Sequence, residues 1–269
     1  MTNILFTAFS NRTDALELAH EAVARLRDVG IESSTHFLDQ DLTPDLAADD
    51  LVISLGGDGT FLRSARLAHA HGARVLPVNL GRVGFLLDVP SNKIVASVQG
   101  ALTNPRVIER LALSINIEGQ ESSDFALNEV VLERARVGHM VRVKTFVGND
   151  EYLTYSADGV LVATPTGSTG YNFSAGGPVV DADLRVVVIT PIAPHFTIDR
   201  SIVVDLDKTV RLVADNKPAV VVADGMEIGV LEPGQAIVVS QNPTPVRVVY
   251  SGAFDLGVRL RQSLREGHA

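Results

Sequence analysis

The chain opens on an apolar run, Ile4-Leu5-Phe6, that reads as a strand over residues 3–9. From Thr13 to Val29, apolar residues recur at Leu16, Ala19, Val23, Leu26 and Val29. That is the spacing of one helical face, and Gly30 follows as the stop. Leu51 to Leu55 reads as a buried parallel strand, Phe61 to His71 as a helix, and Val75-Leu76-Pro77-Val78 as the next strand. Strands alternating with helices predict an α/β domain with a parallel sheet.

The pattern changes near Arg110. Short β-rich runs then succeed one another: Ala112 to Ile117, Val130 to Glu133, Val141 to Val147, Val160 to Thr164, Val186 to Ile189, Ser201 to Val204, Ala219 to Val222 and Ala236 to Val239. The expected fold is an α/β N-terminal domain over 1–108 and a β-rich, sandwich-like C-terminal domain over 109–253. The tail 254–269 has helical spacing, with Leu256, Leu260 and Leu264 four apart, and is free to pack back on the first domain.

Composition narrows the classes. At 269 residues, 46% hydrophobic and 20% charged, the sequence reads as globular, with no disordered or repetitive segment. With no Cys, disulfides, thiolate metal sites and Cys nucleophiles are excluded. A net charge of −9 disfavours a general nucleic-acid or anionic-membrane surface. Met1 to Phe9 lacks a basic leader, and no apolar run approaches the roughly 20 residues of a membrane span, so a cytoplasmic location is expected.

The candidate chemistry concentrates in a few stretches. Gly56-Gly57-Asp58-Gly59-Thr60 follows an apolar strand and precedes a helix, where backbone N–H groups favour an anion. Asp58 beside a phosphate reads as a base or a metal ligand. The same pattern also serves as a plain strand-to-helix connection. Asn79 to Leu86 supplies a second glycine-rich turn after another strand, so the two turns fall at one sheet edge. Thr164 to Pro178 concentrates hydroxyls, glycines and Tyr171, suited to a purine, ribose or phosphate, or to capping a helix. Asn128-Glu129 precedes an apolar run and reads equally as a strand end. Arg134, Arg136 and His139 form a basic group that could face phosphates or solvent. His195 carries no assignment. There is no G-x-x-x-x-G-K-[ST], no G-x-G-x-x-G and no H-E-x-x-H, which argues against a P-loop site, a Rossmann dehydrogenase and a zinc protease.

In their order along the chain, these motifs resemble the NAD kinase family. The stretches are Gly56 to Thr60, Asn79 to Phe85, Leu127-Asn128-Glu129, Asp158-Gly159, Pro165 to Tyr171, Ser174 to Pro178 and Thr190-Pro191-Ile192, spanning about half the chain. The resemblance implies phosphoryl transfer to the adenosine-ribose 2′-hydroxyl of NAD, bound between an α/β and a β-rich domain. It implies Asp58 as the general base, with Gly57 and Gly59 bringing backbone close to the dinucleotide. Asn128, Glu129, Asp158, Thr166, Thr169, Gly170, Tyr171 and Ser174 would contact NAD, with Ala193 near it and Arg63 and His139 as phosphate contacts. ATP or polyphosphate would be the donor, carrying Mg²⁺ or another divalent cation, with no separate protein metal site. A homodimer or homotetramer is implied, with neither nucleic acid nor membrane as partner. Three positions depart from the usual pattern: Gly170 where Ala is common, Arg82 at a variable position, and Met226 where many members carry a polar residue. The loop at Asp58 also resembles that of lipid kinases, and a silent NAD(P)-binding sensor would keep the same pocket.

Overall fold

The computed structural model describes residues 2–40, 43–81, 84–195, 198–252 and 255–266. Arg82 and Phe254 lie outside the described residues, as does the side chain of Leu264. The chain begins with β1 (Ile4–Ala8), α1 (Thr13–Asp28), β2 (Ser34–Phe37), β3 (Leu51–Gly56), α2 (Asp58–Ala70), β4 (Arg74–Asn79), β5 (Val89–Pro90), α3 (Ile94–Thr103) and β6 (Arg106–Arg110). It continues through β7 (Leu113–Ile117), β8 (Ser123–Ala126), β9 (Glu129–Arg134), β10 (Val141–Val147), β11 (Asp150–Ala157), β12 (Gly159–Ala163) and the short α4 (Tyr171–Ser174). Next come β13 (Val186–Ile192), β14 (Ile202–Asp205), β15 (Val210–Ala214), β16 (Ala219–Ala223), β17 (Met226–Leu231) and β18 (Ala236–Gln241). β19 (Val246–Tyr250) and α5 (Leu256–Glu266) close the chain. Two compact units result, 1–110 with 244–269, and 111–243.

The first unit holds a seven-stranded sheet in the order β2-β1-β3-β4-β19-β6, with β5 paired to β4. The central strands β1, β3 and β4 pair in parallel, and β19 lies parallel to β4 but antiparallel to β6. All six residues of β3 are buried, as expected of a strand covered on both faces. α1 buries Ala15, Ala19, Ala22 and Leu26, whereas Leu16 and Val23 are only partly covered and Val29 is exposed. The buried stripe is therefore rotated from the expected one, because alanines let the helix approach the sheet more closely than the larger side chains would. Gly30, at φ +78°, ends α1, and the N–H of Ile31 donates to the Leu26 carbonyl at 2.9 Å.

The second unit is a sandwich of two six-stranded sheets, β11-β10-β15-β18-β7-β8 and β14-β13-β12-β9-β16-β17. Their inner faces share one core, with Val143, Leu212 and Ile237 from one sheet and Leu132, Val160 and Ile189 from the other. Burying each such side chain contributes roughly 1.5–3 kcal/mol relative to exposure. On the opposite face of the second sheet, Val131, Leu161 and Ala163 form a smaller cluster against Ala175, just after α4. That contact seats the hydroxyl-rich stretch over β9 and β12. Among the described residues, no helix is long and apolar enough to cross a membrane.

Candidate functional site

In the first unit, α2 begins at Asp58 rather than at Phe61, so the acid is the first helical residue and not the middle of a turn. An acid is favoured there by the partial positive charge of the helix N-terminus. Gly57 is the extended cap residue, and its carbonyl accepts from the Phe61 N–H at 3.0 Å. The Asp58 carboxylate in turn accepts from the backbone N–H of Phe85 at 3.1 Å and of Leu86 at 3.2 Å. The second glycine turn therefore grips the acid of the first. A methyl on Gly84 would fall 2.3 Å from Asp58 Oδ1, so only glycine allows this approach. Gly56 is needed for a similar reason, since a Cβ there would lie 2.3 Å from Thr60 Oγ1. Gly57 and Gly59 differ: a Cβ on either meets no protein atom within 4 Å. Nothing in the fold demands glycine at those two positions, and the bare backbone stands open to a ligand. Arg63, half-buried, follows on the same helix.

Burial raises the Asp58 pKa above the ordinary aspartate range, while the Leu86 and Phe85 amides and the charge of Arg259 pull the other way. Arg259, on α5, forms an ion pair with Asp88 at 3.0 Å in which the side chains are only 14% and 10% exposed, and it also donates to the Leu87 carbonyl.

In the second unit, Asn128 and Glu129 are buried at the start of β9. The backbone N–H groups of Leu127, Asn128 and Glu129 all donate to the Asp224 carboxylate, at 2.7, 2.8 and 3.1 Å. Asp224 (φ +48°) and Gly225 (φ +75°) form the turn between β16 and β17, as a two-residue hairpin loop with both residues left-handed. Asn128 Oδ1 and Glu129 Oε2 are buried with no protein hydrogen-bond partner. Such groups are costly to leave unmade, and a polar ligand would satisfy them. Burial, and next the charge of Asp224, push the Glu129 pKa up to about 8, against the backbone N–H of Tyr171. At neutral pH this carboxyl is chiefly protonated and able to donate a hydrogen bond.

The stretch from Thr164 is knitted to Asn128-Glu129. The Thr164 hydroxyl donates to the Leu127 carbonyl at 2.6 Å and accepts from the Gly167 N–H at 3.0 Å. A Cβ on Gly167 would sit 2.1 Å from the Asn128 carbonyl, and one on Gly170 would sit 3.0 Å from Glu129 Oε2. Ser168 and Asn172 are fully buried and spent on the fold: Ser168 accepts from Val180, and Asn172 accepts from Thr190 at 2.7 Å. Thr166 is buried and Thr169 half-buried, while Tyr171 is 40% exposed and Ser174 exposed, leaving a ring at the surface beside Glu129. Ala193 is exposed at φ +45°, a backbone state uncommon for alanine, just beyond β13.

Asp158 pairs with Arg134 at 2.8 Å. Arg134, Arg136, His139 and Lys217, with Met140, Val141 and Pro218, border a cavity of about 530 Å³ within this unit. Arg134 thus pairs with Asp158 and borders the same cavity as His139. Sequence reasoning missed Asp224, Arg259 and Lys217. Asp224-Gly225 carried only a hairpin signal, and nothing local marked the other two.

A partly desolvated carboxylate at a helix start, beside backbone left bare for an anion, suits phosphoryl transfer to an alcohol. Residues 1–106 match the ATP-NAD kinase N-terminal domain and residues 127–251 the ATP-NAD kinase C-terminal domain. The chain belongs to the NAD kinase family. It is 38% identical over 224 residues to an NAD kinase of Heliobacterium modesticaldum, covering 81% of this chain and 79% of that one. It is 40% identical over 227 residues to the NAD kinase of Caldanaerobacter subterraneus subsp. tengcongensis, with the same coverage of 81% and 79%. Among solved structures, an NAD kinase from Archaeoglobus fulgidus in complex with ATP is similar at a TM-score of 0.71 and 25% identity, over 99% of this chain and 98% of that one. Yeast NADH kinase complexed with NADH shares the fold at a TM-score of 0.83 and 19% identity, over 100% of this chain and 89% of that one.

Proposed function

We propose that this protein phosphorylates the adenosine-ribose 2′-hydroxyl of NAD to give NADP, with ATP or polyphosphate as donor. The observation that carries the residue assignment is Asp58: half-buried, held by two amides, and beside two glycines where a Cβ would meet no protein atom within 4 Å. In the step, the 2′-oxygen forms a bond to the terminal phosphorus as the bond to the leaving phosphate breaks, and Asp58 takes the hydroxyl proton. A base with a pKa raised toward neutrality is better matched to an alcohol than an ordinary aspartate. Asn128 Oδ1 would accept from a ribose hydroxyl and the protonated Glu129 would donate to a ligand oxygen, answering the two buried atoms that lack partners. Tyr171 offers a stacking face, and Asp158, Thr166, Thr169, Gly170, Ser174 and Ala193 would complete the dinucleotide contacts. Arg63 and His139 would face phosphates. Mg²⁺ would enter with the donor, since it binds through substrate phosphates and retained waters more than through dedicated protein cages. A homo-oligomer in the cytoplasm completes this reading.

The test is incubation with NAD, ATP and Mg²⁺ followed by NADP-specific detection. Asp58→Asn should retain NAD binding and lower kcat by at least about 10²-fold, as loss of a general base requires. No NADP from folded wild-type protein would refute the function, and a near-normal kcat in the variant would remove Asp58 from the base role. Liposome binding with lipid phosphorylation would support the lipid-kinase alternative instead.

A further inference from the structure

The C-terminal helix reaches the candidate base through one side chain. Arg259 donates to the Leu87 carbonyl and pairs with Asp88, and the amides immediately before these residues, Phe85 and Leu86, hold the Asp58 carboxylate. Asp88 is secured from its other side by the Ser251 N–H and hydroxyl, at 2.5 and 2.7 Å, so β19 and α5 both close on one short segment. The segment itself lies between β4 and the two-residue β5. An almost fully covered guanidinium is thereby fixed at a place where its positive charge acts on Asp58.

We infer that Arg259 is a positioning residue for Asp58, clamping the Phe85–Asp88 segment whose amides orient the carboxylate. The inference rests on Asp58 being the base. The ionisable groups around the guanidinium are Asp88 on the adjoining segment, Tyr250 on β19 and, through the Tyr250 ring, Arg110 on β6 at 5.7 Å from the ring centre. The charge of Arg259 opposes the effect of burial at Asp58, after the Leu86 and Phe85 amides. The C-terminal helix thereby helps to hold the segment that grips the base.

The sign can be tested in both directions in the full-length protein. In Arg259→Gln the Asp58 carboxylate loses its cation, so its pKa and the acidic limb of the kcat profile move to higher pH. The loosened segment should also lower kcat by about 10-fold or more, with a KM for NAD changed less than about twofold. In Asp88→Asn the side chain keeps its shape but no longer neutralises Arg259, so the limb moves to lower pH. Arg259→Lys, the mildest change, keeps the charge and should leave the limb near the wild-type position. The Asp58 pKa is also read without turnover, from the ¹³C-carboxyl resonance that disappears in Asp58→Asn. Opposite shifts in the first two variants support the inference. An unmoved resonance and limb in whichever variants fold, or shifts of the same sign, would overturn it. Wild-type protein that makes no NADP would instead refute the function, while the carboxyl titration would still report on Arg259.

Discussion

Replacing Asp224 by Asn should loosen the Asn128-Glu129 segment more than any other single-atom exchange in the second unit. The backbone does not resist the change. Asp224 and Gly225 both have positive φ, and Asn-Gly suits such a turn at least as well as Asp-Gly. What changes is the acceptor. Oδ1 now receives Asn128 and Glu129 at 2.8 and 3.1 Å, and Oδ2 receives Leu127 at 2.7 Å. An amide has one acceptor oxygen, so if it serves Asn128 and Glu129, its NH₂ meets the Leu127 N–H donor to donor. One hydrogen bond to a charged group is lost outright, worth about 1.5–3 kcal/mol, and two are weakened. Allowing for the weakened pair, the expected loss is roughly 2–4 kcal/mol, or a fall in Tm of about 5–15 °C for a unit of this size. Differential scanning calorimetry of the full chain reads this, with any separate transition of the first unit as an internal reference, since two compact units need not unfold together. NAD affinity should weaken as well, because the two unpartnered oxygens move with the segment. A Tm within about 1 °C of wild type, with unchanged NAD affinity by calorimetric titration, would refute the reasoning.

Two further outcomes follow from the same geometry. Glu129 holds its proton up to about pH 8 in the folded chain against an ordinary value of 4.5, so the folded state binds more protons between those limits. The stability this contributes is complete below the lower value and is lost as pH rises through the upper one. Glu129→Gln should therefore flatten the fall in stability from pH 5 to 8 in urea titrations, and parallel curves for the two proteins would count against a protonated Glu129. Gly59→Ala places a methyl where no protein atom lies within 4 Å. It should keep or raise Tm by the helix preference of Ala, about 0.5–1 kcal/mol, while kcat/KM for NAD falls by on the order of 10-fold or more; wild-type kinetics would remove the close ligand approach at Gly59.

Many strands were readable because they are short apolar runs: β3 and β12 are buried throughout, and each stands out in the sequence between glycines and polar residues, whereas β19, which joins the first sheet between β4 and β6, was not. Less was visible where the structural reason is not hydrophobic. β2, Ser34-Thr35-His36-Phe37, is an edge strand with one large apolar residue, and α3 mixes β-branched residues with Gly100, so neither has a clear period. α1 was readable as a helix but not in its buried face, because close packing selected its alanines over its leucine and valines. Of the candidate site, the glycines and acids stood out as residue types, but not their division of labour. Gly84 and Gly167 are required by contacts with Asp58 and Asn128, whereas Gly57 and Gly59 are required by nothing in the protein. Arg259 lies 171 residues from the acid it pairs with, a distance over which no local pattern operates.

Asp58 in the first unit and Glu129 in the second, the proposed base and the proposed donor, are surrounded very differently. Both are pushed upward by loss of water, and in each case backbone N–H groups resist the push. Beyond burial, which leads at both, the charged neighbours differ in sign. Asp58 has a cation, Arg259, which favours the anion that can take a proton. Glu129 has an anion, Asp224, which disfavours a second negative charge and leaves an acid that can give a hydrogen bond. Environments that separate two similar groups into base and donor are how one pH serves both tasks. Three amides fix Asp224 in place beside Glu129, where its charge adds to the effect of burial. An Asn at 224 would then act twice over, letting the segment slacken and lowering the Glu129 pKa, and the second effect is separable because it alone should disappear below about pH 5.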